Sequence, residues 1–211
     1  MSISSIRKDY QLKSLSETDV LLHPIDQFSK WWDEAIASKI EEVNAMALST
    51  VTQEGKPSSR VVLLKGFDEA GFVFFTNYES EKGKQLIEHP FASLVFFWKE
   101  LERQVRIEGS CVKTSEKESD DYFHSRPPES QLGAWASPQS RVIEGRHILE
   151  ERLKDLKMRF STGTIPRPPH WGGLRVIPEK VEFWQGRSSR LHDRILYQKN
   201  ADGWGIFRLA P

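Results

Sequence analysis

The chain has 211 residues, with 30 Lys and Arg against 30 Asp and Glu, and no formal net charge at neutral pH. That length fits one large domain, or one domain with helical additions, and is enough to bury a real core. The charge balance excludes the basic footprint of a nucleic-acid binder, and the single cysteine, Cys111, excludes an intrachain disulfide or a multi-cysteine metal site.

Residues 1–23 are polar and mixed, and read as a mobile N-terminal arm that carries Arg7, Lys8, Asp9 and Tyr10. Neither an apolar leader nor an apolar run of membrane-spanning length is found, so a cytoplasmic, reducing compartment is expected. Pro24 opens a predicted helix that runs to about Asn44. Phe28, Trp31, Trp32, Ala35, Ile36 and Ile40 recur along it at spacings of three and four. Strand patterns follow. Ala45 to Val51 leads through a Gly-Lys-Pro turn to Arg60-Val61-Val62-Leu63-Leu64-Lys65, an apolar run between two cations that reads as buried on both faces. Arg60 and Lys65 are an odd number of residues apart. In a regular strand they face opposite sides and lie about 17 Å apart. Either they serve two anionic groups or one of them is a plain edge cation. Asp68 to Gly71 turns the chain into Phe72–Thr76, and Ser80 can cap a short helix bearing Lys82 and Lys84. Two more strands are predicted at 91–98 and 102–114.

The pattern changes at Ser115. Ser115-Glu116-Lys117-Glu118 is a capping box that opens a helix toward Arg126, and Pro127-Pro128 should break it. A second amphipathic helix is predicted over Val142–Phe160, so residues 115–160 form a helical insertion. Strands return over 174–184, 194–198 and 204–209. Many short strands joined by tight turns favour a mainly β barrel or sandwich, with residues 24–211 as a single domain.

Candidate chemistry gathers in three places. In Val181–Arg194 a strand gives way to a Gly/Ser turn, and then Arg190, His192 and Arg194 recur at a period of two. An extended segment would place all three on one face. There they could meet an anionic planar ligand, since Arg pairs with phosphate and stacks on rings. The same spacing could instead mark a solvated strand edge blunted by charge. Tyr122 and Arg126 share a helix face, and Ser130 lies just past the proline pair. Together they could cradle a phosphate, or they could be an ordinary surface pair. Gln139-Ser140-Arg141 is a polar turn that could donate to an anion. The six histidines show no zinc spacing, and there is no dinucleotide-binding glycine motif, P-loop or nucleophile elbow.

Taken together, these residues resemble the pyridoxine/pyridoxamine 5′-phosphate oxidase family almost end to end. The motifs are Arg60–Lys65, Phe75-Thr76-Asn77, Leu101–Val105, Tyr122–Pro127, Gly133-Ala134-Trp135, Trp171-Gly172-Gly173, Val181–Arg194 and the closing Arg208-Leu209-Ala210-Pro211. The resemblance implies a split β-barrel, of Greek-key type with flanking helices, that binds FMN at a homodimer interface. It also implies oxidation of pyridoxine or pyridoxamine 5′-phosphate at C4′ to pyridoxal 5′-phosphate, with hydride passing to flavin N5 and dioxygen reduced to hydrogen peroxide.

By position, Arg60 and Lys82 would hold the FMN phosphate. Val61, Val62, Leu63, Leu64, Lys65, Phe75, Thr76, Gln104, Gln139, Ser140, Trp184 and Arg194 would line the rest of the flavin. Lys65, Tyr122, Arg126 and Ser130 would take the substrate phosphate. Arg190 and His192 would lie over the pyridine ring as the catalytic pair, with Leu191, Arg7 and Tyr10 alongside. Two phosphates would then account for Arg60 and Lys65 pointing apart. Two positions depart from the family. Glu81 sits where related chains often place Arg, and Phe75 replaces a common Tyr. A flavin reductase on the same fold would not need the second phosphate set. A carrier of FMN or pyridoxal phosphate would bind without turnover.

Overall fold

A computed structural model describes residues 2–6 and 8–211. Arg7, expected near the substrate, lies outside the described residues. Among the described residues nine strands form one antiparallel sheet: β1 Ala45–Val51, β2 Pro57–Leu63, β3 Gly66–Asp68, β4 Gly71–Asn77, β5 Phe91–Trp98, β6 Arg103–Lys113, β7 Trp171–Gln185, β8 Asp193–Asn200 and β9 Gly203–Arg208. The main path runs β2-β1-β5-β6-β7-β4-β3, and β8 and β9 continue from the far half of β7. The two ends of this path, β2 and β3, are consecutive in the chain and separated only by Leu64 and Lys65. A flat sheet of that order would hold them about 29 Å apart at ~4.8 Å per strand. The three Cα steps between Leu63 and Gly66 reach at most about 11 Å. The sheet must therefore curl on itself, which is the barrel-type architecture the strand pattern predicted.

Closure is secured at the joint. Leu64 N donates to Asn44 O at 2.8 Å and Lys65 N to Val73 O at 2.8 Å. The inner face is apolar: Leu48, Phe74, Leu94, Phe96, Val105, Ile107, Val176, Val181 and Phe183 are fully buried. β6 and β7 pair along most of their length with one register shift, between Glu108 and Gly109. A Cβ at Gly109 would run into the Ile177 carbonyl, so only glycine lets the strands cross that closely.

Five α-helices flank the sheet: α1 Pro24–Ala37, α2 Glu81–Glu88, α3 Glu116–Ser125, α4 Pro128–Ala136 and α5 Arg146–Arg159. α1 packs its apolar face on the barrel, with the Phe28 ring centroid 4.8 Å from Phe67 and 4.9 Å from Phe72, and Trp31 5.1 Å from Phe183. Burying Phe28 and Trp31 completely contributes about 2–3 kcal/mol each. α1 ends earlier than the periodicity suggested. Ser38 bonds back to Glu34 O through both its amide and its hydroxyl, and Lys39 and Glu42 then take positive φ, which breaks the helix. Ile40 and Val43 still pack on the core, so their apolar spacing was real but no longer helical.

Both serines cap their helices: Ser80 accepts from Gly83 N and Ser115 from Glu118 N, although the Glu118 carboxylate accepts from Arg175 Nη2 at 3.1 Å rather than completing a capping box. The proline pair does not merely end a helix. Pro127 caps α4, and Pro128 occupies its first turn, where a missing N–H costs nothing. α5 is shorter than expected and buries no residue fully. The apolar run 60–65 also differs from its reading, since Val61 is 69% exposed. Along β2 exposed and half-buried positions alternate, so only one of its faces meets the core.

Residues 10–21, read as part of a mobile arm, are docked in the structure. Leu15 is buried and its N–H donates to Asp193 Oδ2 at 3.0 Å, and Leu21 O accepts from Tyr197 Oη at 2.6 Å. Among the described residues no helix is long and apolar enough to cross a membrane.

Candidate active site

A cleft of about 680 Å³ opens where the outer edge of β2 and the end of β4 face α2, α3 and α4. Strand alternation places Val61 and Leu63 on its wall, with Val62, Phe75 and Thr76 beside them. The Ser80 cap aims the first turn of α2 so that Lys82 Nζ enters the cleft, 3.1 Å from Thr76 Oγ1 and 3.2 Å from Gln139 Oε1. α3 delivers Tyr122, its C-cap is Arg126, and α4 supplies Ser130. Lys65 sits on the opposite wall with Nζ 6.0 Å from the Tyr122 ring centre. Three aromatic rings form the floor: Phe75 stacks on Tyr122 at 3.9 Å and lies nearly parallel to Trp171 at 5.5 Å.

The electrostatics of this cleft are one-sided. Among the described residues Lys65, Lys82 and Arg126 line it, and no carboxylate does. Burial holds the Lys82 ammonium below its usual pKa, and the nearby Arg60 charge lowers it further. Burial also lowers Arg126, whose Nη1 is enclosed and has no hydrogen-bond partner. The Arg126 guanidinium lies 4.7 Å above the Trp171 ring. A buried donor without an acceptor is costly. It is tolerated where an anion completes it, and the donor set here suits phosphate.

Arg60 approaches the same region from behind the strand. Its Nη1 donates to Thr50 Oγ1 at 2.6 Å and Leu48 O at 3.2 Å, and its Nη2 to Ser58 Oγ at 2.8 Å. Thr50 in turn bonds Gln85, and Gln85 Nε2 reaches Glu81 Oε1 at 3.2 Å. Arg60 and Lys65 thus engage different surroundings, but not through strand parity, because β2 ends at Leu63 and Lys65 lies in the joint before β3. Leu64 turns its side chain into the core, and Ser140 sits in the turn after Gln139 with φ 69°. Gln104 pairs with Trp184 across β6 and β7.

The second group of candidates stands apart. A cleft of about 520 Å³ is walled by Lys8, Asp9, Tyr10, Arg187, Arg190 and His192, and shares no lining residue with the first. His192 packs 4.6 Å from Trp184, and its Nδ1 accepts from Arg187 N at 3.1 Å. With Nδ1 so occupied, the neutral ring carries its proton on Nε2.

The period-two reading of 190, 192 and 194 is not what the chain does. Arg190 closes a 3₁₀ turn at φ 62°, and β8 begins only at Asp193. Arg194 is also not a free cation. It grips the buried Glu182 through Nε–Oε1 at 2.8 Å and Nη2–Oε2 at 3.0 Å, and its Nη1 donates to Ala210 O at 2.8 Å. The Glu182 hydrogen bond raises the Arg194 pKa. Leu191 is largely exposed. Sequence reasoning did not assign Trp171 or Glu182 a place here. Trp171 was visible as part of a Trp-Gly-Gly motif, whereas Glu182 looked like an ordinary polar position on an alternating strand.

A family profile described as pyridoxamine 5′-phosphate oxidase matches residues 32–160. The chain belongs to the pyridoxamine 5′-phosphate oxidase family. A second profile of that family, described as the pyridoxine 5′-phosphate oxidase C-terminal dimerisation region, matches residues 171–211, which carry the whole Arg187–His192 group. A Nostoc punctiforme protein named pyridoxine/pyridoxamine 5′-phosphate oxidase is 60% identical over 100% of this chain and 99% of its own length. Kinship at that level makes the chain an oxidoreductase of the family. The crystal structure of PhzG from Burkholderia lata, in complex with tetrahydrophenazine-1-carboxylic acid, superposes with a TM-score of 0.88 at 32% identity, covering 95% of this chain and 99% of that one. A related FMN-binding protein from Nostoc punctiforme, at 20% identity and a TM-score of 0.67 over 85% of this chain and 97% of that one, shares the fold. That fold is the split barrel, as expected.

Proposed function

We propose that the chain oxidises pyridoxine 5′-phosphate or pyridoxamine 5′-phosphate to pyridoxal 5′-phosphate, with FMN as cofactor and dioxygen as final acceptor. The observation that carries this reading is the cationic cleft. In a chain of zero net charge, its lining among the described residues has three cations, no carboxylate and one enclosed guanidinium nitrogen without a partner there. Such a site fits phosphate esters, and its exposed apolar strand edge, Val61 and Leu63, fits a flat ring.

The residues suit the cofactor. Arg60 and Lys82 would hold the FMN phosphate, and Thr76, Gln139 and the β2 edge would contact the remainder. When bound, FMN would supply the redox chemistry, as hydride acceptor for C4′ and two-electron donor to dioxygen, with hydrogen peroxide and, from the amine with water, ammonia as the accompanying products. Lys65, Tyr122, Arg126 and Ser130 would bind the substrate phosphate. That group does not react, so its binding energy can be spent on holding the ring in register. Arg190 would stack on the pyridine ring, and the Nε2–H of His192 would donate to the C4′ substituent and orient it.

In one protomer the Arg190–His192 wall and the cationic cleft are separate. The dimerisation description of residues 171–211 supports a homodimer in which each wall completes the other subunit's cleft, with FMN at the interface.

The test is to mix protein, FMN and pyridoxine 5′-phosphate in air and follow pyridoxal 5′-phosphate absorbance and peroxide. Turnover is expected, and Arg190→Ala should lower kcat/KM about 100-fold. Near-normal turnover in that variant would remove Arg190 from the reaction. FMN binding without any turnover would favour a carrier.

A further inference from the structure

We infer that Glu102 is a positioning residue that latches the N-terminal segment over the Arg190–His192 wall, and so sets substrate affinity. This rests on the proposed function for its reaction but on independent contacts for its geometry.

Glu102 follows the turn Lys99–Leu101 at φ 54° and ψ 40°, in the left-handed region where glycine or asparagine is favoured. It is only 3% exposed. Its Oε2 accepts two backbone N–H groups of the N-terminal segment, from Gln11 at 2.9 Å and Leu12 at 3.1 Å, and its Oε1 lies 3.5 Å from Lys8 Nζ. The main chain of the same residue faces the other way. Glu102 O accepts from Gly186 N at 2.7 Å and from Gln185 Nε2 at 3.2 Å. One residue therefore ties the arm to the root of the loop that carries Arg187, Arg190 and His192.

The segment so held includes Tyr10. Its ring stands edge-on to Trp184 at 5.8 Å and to His192 at 6.0 Å. Its backbone crosses so near the loop that a Cβ on Gly186 would come within 2.7 Å of Tyr10 Cβ. Glycine at 102 would serve the turn without strain. A glutamate in that conformation costs free energy, as does burying its carboxylate. The side chain, not the turn, is thus what position 102 provides.

Two variants test this. Glu102→Gly suits the backbone, so the fold and the FMN dissociation constant, read by flavin fluorescence, should be unchanged. KM for pyridoxine 5′-phosphate should rise at least about tenfold with a smaller change in kcat, the lower bound for losing hydrogen bonds to a charged acceptor. Limited trypsin digestion after Lys13 should accelerate to a similar degree. Glu102→Gln keeps an acceptor oxygen and should restore both readouts to near the unaltered protein.

Unchanged KM with unchanged digestion in Glu102→Gly would overturn the inference. So would parallel losses of FMN affinity and KM, with digestion unchanged. If the unaltered protein shows no oxidase activity, the functional reading fails on its own, and the digestion comparison still decides the latch.

Discussion

Replacing Arg126 with methionine should separate binding from stability, weakening the first and leaving the second nearly unchanged. The guanidinium lies 4.7 Å above Trp171, and its Nη1 is enclosed without a partner. Losing the cation–π contact costs about 0.5–2 kcal/mol. Removing a buried, unsatisfied donor returns about 1–3 kcal/mol. Methionine retains an unbranched stem and a polarisable sulfur to cover the ring. The two effects nearly cancel, so stability should stay within about 2 kcal/mol of the unaltered protein. At ~2–4 °C per kcal/mol for a chain of this size, Tm should move by no more than about 8 °C. With a phosphate bound, the same nitrogen would make a charge-assisted hydrogen bond of about 1.5–3 kcal/mol, so KM for pyridoxine 5′-phosphate should rise about 10- to 150-fold. Thermal melts in the absence of substrate, paired with steady-state kinetics, measure both. A melt lowered by well over 8 °C, or an unchanged KM, would refute the assignment of Arg126 to phosphate.

Glu81 places a carboxylate beside Arg60 and Lys82, and its charge acts on both. Glu81→Arg should tighten FMN about three- to tenfold, a modest gain because the side chain is exposed and screened. An unchanged or weaker dissociation constant by fluorescence titration would contradict this. The Arg208 hydrogen bonds hold the Glu17 pKa down from 4.5 to about 2. A depressed folded-state pKa favours the docked form fully above pH 4.5, and that contribution is lost progressively as the pH falls from 4.5 through about 2. Carboxyl NMR should place the Glu17 midpoint near that value and return it toward 4.5 in Arg208→Gln. A native midpoint above 4 would show that the pair does not form in solution.

Local chemistry made much of this molecule legible. Ser80 and Ser115 announced their helices because a cap is satisfied within four residues, and the alternation of β6 showed its inner face residue by residue. The cationic trio Lys65, Lys82 and Arg126 was also legible, though only family resemblance connected its members, which lie on different elements. Readings failed where a pattern had two structural outcomes. Pro128 stops one helix and starts another, and the two are indistinguishable until the chain direction after it is known. The apolar run at 60–65 looks the same on an edge strand as in a sheet centre. Spacing at 190, 192 and 194 matched an extended segment, yet Arg190 sits in a turn at positive φ.

Strand alternation and the helix caps could be read along the chain, because each depends on neighbours within a few positions. Which charges are spoken for depends instead on how distant segments meet in the fold. Arg194 is neutralised by Glu182 because antiparallel register sets Trp184 opposite Arg194, and Glu102 meets Gln11 across more than ninety residues because the barrel closes where it does. Pairings of that kind are fixed by sheet register and chain crossing, which no local spacing encodes.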